Sequence, residues 1–146
     1  KEERQMKQEL VSDWMTKDVI TITPETSLKE AHDIMNSKGI RRLPVVSHNK
    51  VVGMVTLGDI RGAEPSKASS LSVWEMNDLL AKLKVSEIMT HNPATIHENV
   101  SIGDAAKVML ERKFSSLPVV DDAEHLVGII TESDIFRLVV NEWHKD

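Results

Sequence analysis

Asp59 and Asp134 each close the same pattern, Gly-x-x-Thr-x-x-Asp, written once as Gly53/Thr56/Asp59 and again as Gly128/Thr131/Asp134. In each copy the pattern ends a short apolar run and opens an amphipathic one, so it belongs where a strand hands over to a helix. Two chemistries fit that place. Thr-x-x-Asp is a capping pattern, in which hydroxyl and carboxylate satisfy the first free N–H groups of a helix and no ligand is needed. The same carboxylate can instead accept both hydroxyls of a ribose. The threonine hydroxyl and the free N–H groups can then meet a phosphate, an anion that the helix dipole favours. A single copy reads more readily as a cap. Recurrence with its glycine strengthens the binding reading and leaves both open.

The other residues with chemical potential are fewer. Arg41 and Arg42 precede Leu43-Pro44-Val45-Val46, while Ser115 and Ser116 hold the matching places before Leu117-Pro118-Val119-Val120. Two arginines after a helix are ordinarily solvated charge, but a guanidinium also binds phosphate bidentately, which an acidic protein needs if its ligand is anionic. The six histidines (His32, His48, His91, His97, His125 and His144) show no close helical metal spacing, so no metal site is expected. There is no phosphate loop, no Gly-x-Gly-x-x-Gly and no Gly-x-Ser-x-Gly elbow. No catalytic constellation forms, and the expectation is that the chain is not an enzyme.

Composition narrows the classes further. With 40% hydrophobic and 28% charged residues the balance is that of an ordinary soluble domain. No cysteine is present, which excludes disulfides and thiolate chemistry together. A net charge of −5 and only two Phe, three Trp and no Tyr argue against nucleic acid as a partner. No apolar run reaches the roughly 20 residues of a membrane span, so no membrane partner and a cytoplasmic location are expected. Residues 1–5 are polar and read as a frayed or foreign end.

The elements that must hold these residues follow from a repeat. Val11-Ser12-Asp13-Trp14-Met15-Thr16 returns 74 positions later as Val85-Ser86-Glu87-Ile88-Met89-Thr90. After one inserted residue the offset is 75, carrying Gly53 onto Gly128. A unit that recurs seldom closes its core alone, and two copies imply a pseudo-symmetric pair with a seam. Each copy reads as strand, helix, strand, strand, helix. Val19-Ile20-Thr21-Ile22 and Ala94-Thr95-Ile96 are the first strands. Leu28, Ala31, Ile34 and Met35 mark one helix, which Gly39 ends. Ile102, Ala105, Ala106, Val108, Met109 and Leu110 mark its counterpart. Ser47-His48-Asn49-Lys50 is a hairpin-sized turn. Between the copies, Gly62, Pro65, Ser66, Ser69 and Ser70 read as a loop. Ser72-Val73-Trp74-Glu75 then opens a capped helix with Val73, Met76, Leu80 and Leu83 on one face. A last helix is expected from Asp134 to Val140, with a polar tail from Glu142 to Asp146.

Two copies of strand, helix, Leu-Pro-Val-Val strand and Gly-x-x-Thr-x-x-Asp helix resemble a tandem pair of CBS domains, or Bateman module, over about residues 11–140. The segment 65–72 running into Trp74-Glu75 further resembles the acetoin-utilisation-like CBS-pair proteins. The resemblance implies an α/β fold of two pseudo-symmetric β-α-β-β-α repeats packed as one module, with two clefts between their sheets. Repeat one would take residues 6–62, a linker with its helix 63–84, and repeat two 85–146. It also implies an adenosyl ligand, AMP, ADP, ATP or S-adenosylmethionine, and a regulatory role in energy or metabolite sensing. Asp59 and Asp134 would take the ribose, Thr56 and Thr131 approach the phosphate. Val19, Ile20, Ile40 and Leu43 would clasp the base in one half. Ala94, Phe114 and Leu117, with Ser115 and Ser116 alongside, would do so in the other. Arg41 and Arg42 would reach across the axis towards the cleft of Thr131 and Asp134, making that cleft the one suited to phosphorylated adenosine. The other cleft would be empty, weak or fit for a less charged adenosyl ligand. Family members usually pair as dimers through their helices, so a homodimer and an unidentified regulated protein are the expected partners. The alternative reading is a dimerisation module whose clefts are vestigial.

Overall fold

The protein is described as a computed structural model over residues 9–64 and 71–144. The chain folds into two compact units, and the boundary between them does not follow the boundary between the repeats. One unit holds the residues from Ile20 to Pro93; the other joins the residues up to Val19 with those from Ala94 onwards.

In the Ile20–Pro93 unit, helix α2 (Leu28–Lys38) starts on Ser27, whose hydroxyl accepts from Glu30 N, and stops on Gly39 at φ 65°, the left-handed cap that glycine adopts most cheaply. Strands β1 (Arg42–Ser47) and β2 (Lys50–Thr56) pair antiparallel, with a bulge at Val45/Val46. The two residues between them, His48 and Asn49, have φ of 53° and 64°, which suits a tight hairpin. The predicted strand from Val19 to Ile22 contracts to a single parallel bridge, Ile22 with Val45. Helix α3 (Leu57–Ala63) follows β2 directly and takes in Gly62, so the loop expected from that residue does not begin there. The rest of the expected loop, Pro65 to Ser70, lies outside the described residues. Helix α4 (Val73–Lys82) is capped by Ser72 as expected, yet Val73 and Trp74 stand 75% and 84% exposed. Only Met76, Leu80 and Leu83 pack on the core.

The sheet of this unit is completed by β3 (Thr90–His91), antiparallel to β2, from the second copy of the repeated Val-Ser hexapeptide. A short 3-10 turn, Val85–Glu87, precedes it and is pinned by Val85 N to Thr26 O (2.8 Å) and Ser86 N to Pro24 O (3.1 Å). The first copy of the hexapeptide, helix α1 (Val11–Trp14) and Thr16, does the same in the other unit. There Val11 N reaches Val100 O at 2.9 Å, and Thr16 bridges Ile129. Each hexapeptide is therefore exchanged: the copy that opens one repeat packs on the sheet of the other. Both valines, Val11 and Val85, are wholly buried.

The same exchange accounts for both motif glycines. A Cβ on Gly53 would lie 2.3 Å from Met89 Sδ, and one on Gly128 would lie 2.5 Å from Met15 Sδ. These glycines make room for the hexapeptide methionines, so their recurrence is required by packing.

The second unit otherwise repeats the first. Strand β4 (Ile96–His97) runs parallel to β5 (Ser116–Val120), which pairs antiparallel with β6 (Leu126–Thr131) through a matching bulge at Val119/Val120. Helix α5 (Ile102–Arg112) ends on Lys113 at φ 59°, the left-handed position that Gly39 fills in the first copy. Leu110, expected on the apolar face, is instead 82% exposed. Helix α6 (Glu132–Trp143) runs three residues beyond the expected end at Val140. Glu142, expected in a polar tail, is helical and buried. The matched methionines Met35 and Met109 are core residues of the two units, as expected. No described helix is long and apolar enough to cross a membrane.

Candidate functional site

Each motif sits at its predicted junction, with the threonine as N-cap and the aspartate three residues into the helix. The cap is complete in both copies. Thr56 N donates to Asp59 Oδ2 at 2.9 Å and Asp59 N to Thr56 Oγ1 at 3.0 Å. In the second copy the corresponding distances are 2.8 and 3.2 Å. A backbone carbonyl takes the next donor, Leu57 N to Arg41 O (2.8 Å) and Glu132 N to Ser115 O (3.1 Å). Few free N–H groups therefore remain at either helix start to meet a phosphate.

Beyond the cap the two motifs differ. Asp59 is half-buried, and its Oδ1 accepts no hydrogen bond among the described residues. Asp134 is 1% exposed and fully engaged. Its Oδ2 also accepts the Thr131 hydroxyl at 3.0 Å, and its Oδ1 is paired with Arg137 Nη2. Neither further contact has a counterpart in the first copy among the described residues. There the Thr56 hydroxyl keeps its proton for another acceptor, and the residue matching Arg137 is Gly62.

The remaining expected positions divide between the two units. Ile20, Ile40, Arg41, Arg42 and Leu43 share the unit of Asp59, whereas Val19 belongs to the unit of Asp134. Ala94, Phe114, Ser115, Ser116 and Leu117 also share the unit of Asp134. Leu43 and Leu117 are core side chains with essentially no exposure, which leaves only their backbone to touch a base. Ile20, Ile40, Ala94 and Phe114 are half-buried and line the edges of the two cores. The Phe114 ring carries the Arg112 guanidinium 5.3 Å from its centroid, a cation–π contact on one face. Arg41 is exposed, while Arg42, Ser115 and Ser116 are half-buried and each has a polar partner. Arg137, absent from the expected set, is the added member; its position three residues after Asp134 on a helix is the signal that finds it.

The family model for the CBS domain matches residues 11–66 and again residues 85–141. The chain belongs to the CBS-domain family. Among solved structures it resembles the CBS domain pair of protein MJ0100, in complex with 5′-methylthioadenosine and S-adenosyl-L-methionine (35% identity, TM-score 0.72, 91% of this chain and 97% of that one). It also resembles CBSX2 of Arabidopsis thaliana in complex with AMP (30% identity, TM-score 0.75, again 91% and 97%). A third CBS-pair neighbour is a putative acetoin utilization protein of Vibrio cholerae (28% identity, TM-score 0.74, 90% of each chain), in line with the narrower resemblance of the linker. The chain spans only 21% to 46% of the length of the first curated relatives it matches. One of these is the inosine-5′-monophosphate dehydrogenase of Korarchaeum cryptofilum, 35% identical over 123 residues.

Proposed function

We propose that this chain is a regulatory CBS pair that carries no catalysis of its own and binds an adenosyl ligand, AMP, ADP, ATP or S-adenosylmethionine. The observation that carries this is Asp59, a half-buried carboxylate at a strand–helix junction whose Oδ1 accepts nothing among the described residues. A lone-pair-rich oxygen left in that state is an acceptor for a ribose hydroxyl, and the Thr56 hydroxyl beside it is a donor. Arg41 supplies exposed positive charge next to that motif for an anionic ligand. Support for the adenosyl class comes from the relatives solved with AMP, 5′-methylthioadenosine and S-adenosyl-L-methionine. Support for an accessory role comes from a match to less than a quarter of a dehydrogenase. Binding would favour one conformation of the chain by differential affinity and so signal to a regulated protein. We assign self-association to the exposed apolar residues Leu110, Phe136, Val140 and Trp143 of the second unit.

The complete caps in both copies favour a second reading, a pairing module whose motifs only start helices. Thermal unfolding against AMP, ATP, S-adenosylmethionine and 5′-methylthioadenosine separates the two. A ligand at a hundred times its Kd adds about 2.7 kcal/mol to the folded state. A rise of several degrees with at least one of them supports the regulatory reading, and no rise with any at millimolar concentration supports the pairing module.

A further inference from the structure

The two motifs are written alike but hold their carboxylates differently. Asp134 Oδ1, the oxygen that corresponds to the uncommitted Asp59 Oδ1, is held by the Arg137 guanidinium. The Thr131 hydroxyl, donor in this copy, is turned onto Asp134 Oδ2 at 3.0 Å. The carboxylate is buried, whereas the arginine side chain is 62% exposed, so the cation lies on the solvent side of the anion. The oxygen that a sugar hydroxyl would need is therefore already paired with a cation. Charge-assisted bonds of this kind are about twice as strong as neutral ones, so a neutral hydroxyl does not displace it without loss. In the first repeat the matching residue is Gly62, with open space around its Cβ position, and no cation is paired with Asp59 among the described residues.

We propose that Arg137 is a specificity-determining latch, which closes the second motif to a ribose and leaves the two repeats with unequal occupancy. This rests on the adenosyl-binding reading and deepens it. It also reverses the order expected from Arg41 and Arg42, which favours the motif of Thr131 and Asp134. The ligand class it selects at low concentration is a single ribosyl compound per chain, bound through Asp59.

Calorimetry with AMP and with adenosine on the whole chain tests it, using the parent, Arg137→Met and Gly62→Arg. Arg137→Met keeps the apolar stem and removes the donors. Gly62→Arg carries the latch to the first repeat at a position with room for it. The expected stoichiometry is one per chain in the parent and two in Arg137→Met, with at least tenfold weaker binding in Gly62→Arg. Two equal sites in the parent, or one site in Arg137→Met, overturns the latch while leaving adenosyl binding intact. Gly62→Arg binding as tightly as the parent also overturns it, and decides the matter alone if Arg137→Met does not fold. Absence of heat with both probes in all three proteins overturns the latch, and the adenosyl reading falls with it when ATP, S-adenosylmethionine and 5′-methylthioadenosine also leave the unfolding temperature unchanged.

Discussion

Gly53→Ala probes the exchange of hexapeptides that builds each sheet. The added methyl would stand 2.3 Å from Met89 Sδ, 2.9 Å from Met89 Cγ and 3.1 Å from the Thr90 carbonyl oxygen. Carbon and sulfur pack without strain only beyond about 3.5 Å, so Met89 must retreat by roughly an ångström. It is nearly buried in the first core, and the Thr90 carbonyl belongs to β3, which is paired with β2 at Met54. Neither neighbour moves freely. Overpacking of this kind costs about 1–3 kcal/mol. For a chain of this size that corresponds to a fall in Tm of about 3–10 °C. Met89→Ala alone leaves a void and costs about 2–5 kcal/mol. Combined with Gly53→Ala, the new methyl fills part of that void, so the double variant should be more stable than the sum by about 0.5–3 kcal/mol. Chemical denaturation of the parent, both single variants and the double variant gives all the terms. A neutral Gly53→Ala, or strict additivity, would refute the placement of the Val85–His91 segment on the first repeat's sheet.

Gly128→Ala should behave in the same way against Met15, where the closest approach is 2.5 Å. Lys113 closes α5 in the left-handed region at φ 59°, so Lys113→Gly should raise stability by about 1 kcal/mol, read from the denaturation midpoint. Asp134→Ala removes a buried carboxylate that takes bonds from Thr131 and Arg137, and should cost about 2–3 kcal/mol, more than Asp59→Ala, in thermal unfolding. Phe136→Glu places a charge in the exposed apolar surface of α6 to which self-association is assigned above, and should lower the mass seen by light scattering at micromolar concentration; a parent that is already a monomer there would contradict the assignment.

The repeat, the helices and the motif junctions were legible because each rests on local chemistry. Ser27, Ser72 and Ser101 cap the helices they precede, and Gly39 ends one. The end of α5 was not legible, since Lys113 adopts a conformation for which its type gives no signal. Helix α6 outran its expected end because Glu142, polar by type, is buried as its last turn continues. Val73 falls on an apolar face by spacing, but a stripe records periodicity and does not say how much of it is covered. The exchange of hexapeptides was invisible for a deeper reason. Strands as short as Thr90–His91 carry no register of their own, and nothing in Met89 names Gly53 as its neighbour. Of the candidate site, the junction positions of Thr56, Asp59, Thr131 and Asp134 were legible from spacing. The difference between the copies has a signal too, Arg137 one helical turn after Asp134 where Gly62 follows Asp59, but spacing only offers such a pair and does not say that it forms.

The central claim is that Asp59 holds the ribose of an adenosyl ligand, and the most direct measurement is AMP binding by calorimetry to the parent and to Asp59→Ala. Losing one or two hydrogen bonds to a carboxylate costs on the order of 1–3 kcal/mol, which is roughly five- to a hundredfold in affinity. The variant also loses part of a helix cap, so a modest fall in Tm accompanies it under either reading and decides nothing. A parent that binds AMP and an Asp59→Ala variant that binds it five- to a hundredfold more weakly is the predicted result. A variant that unfolds earlier yet binds AMP as tightly as the parent would show that Asp59 is a cap alone.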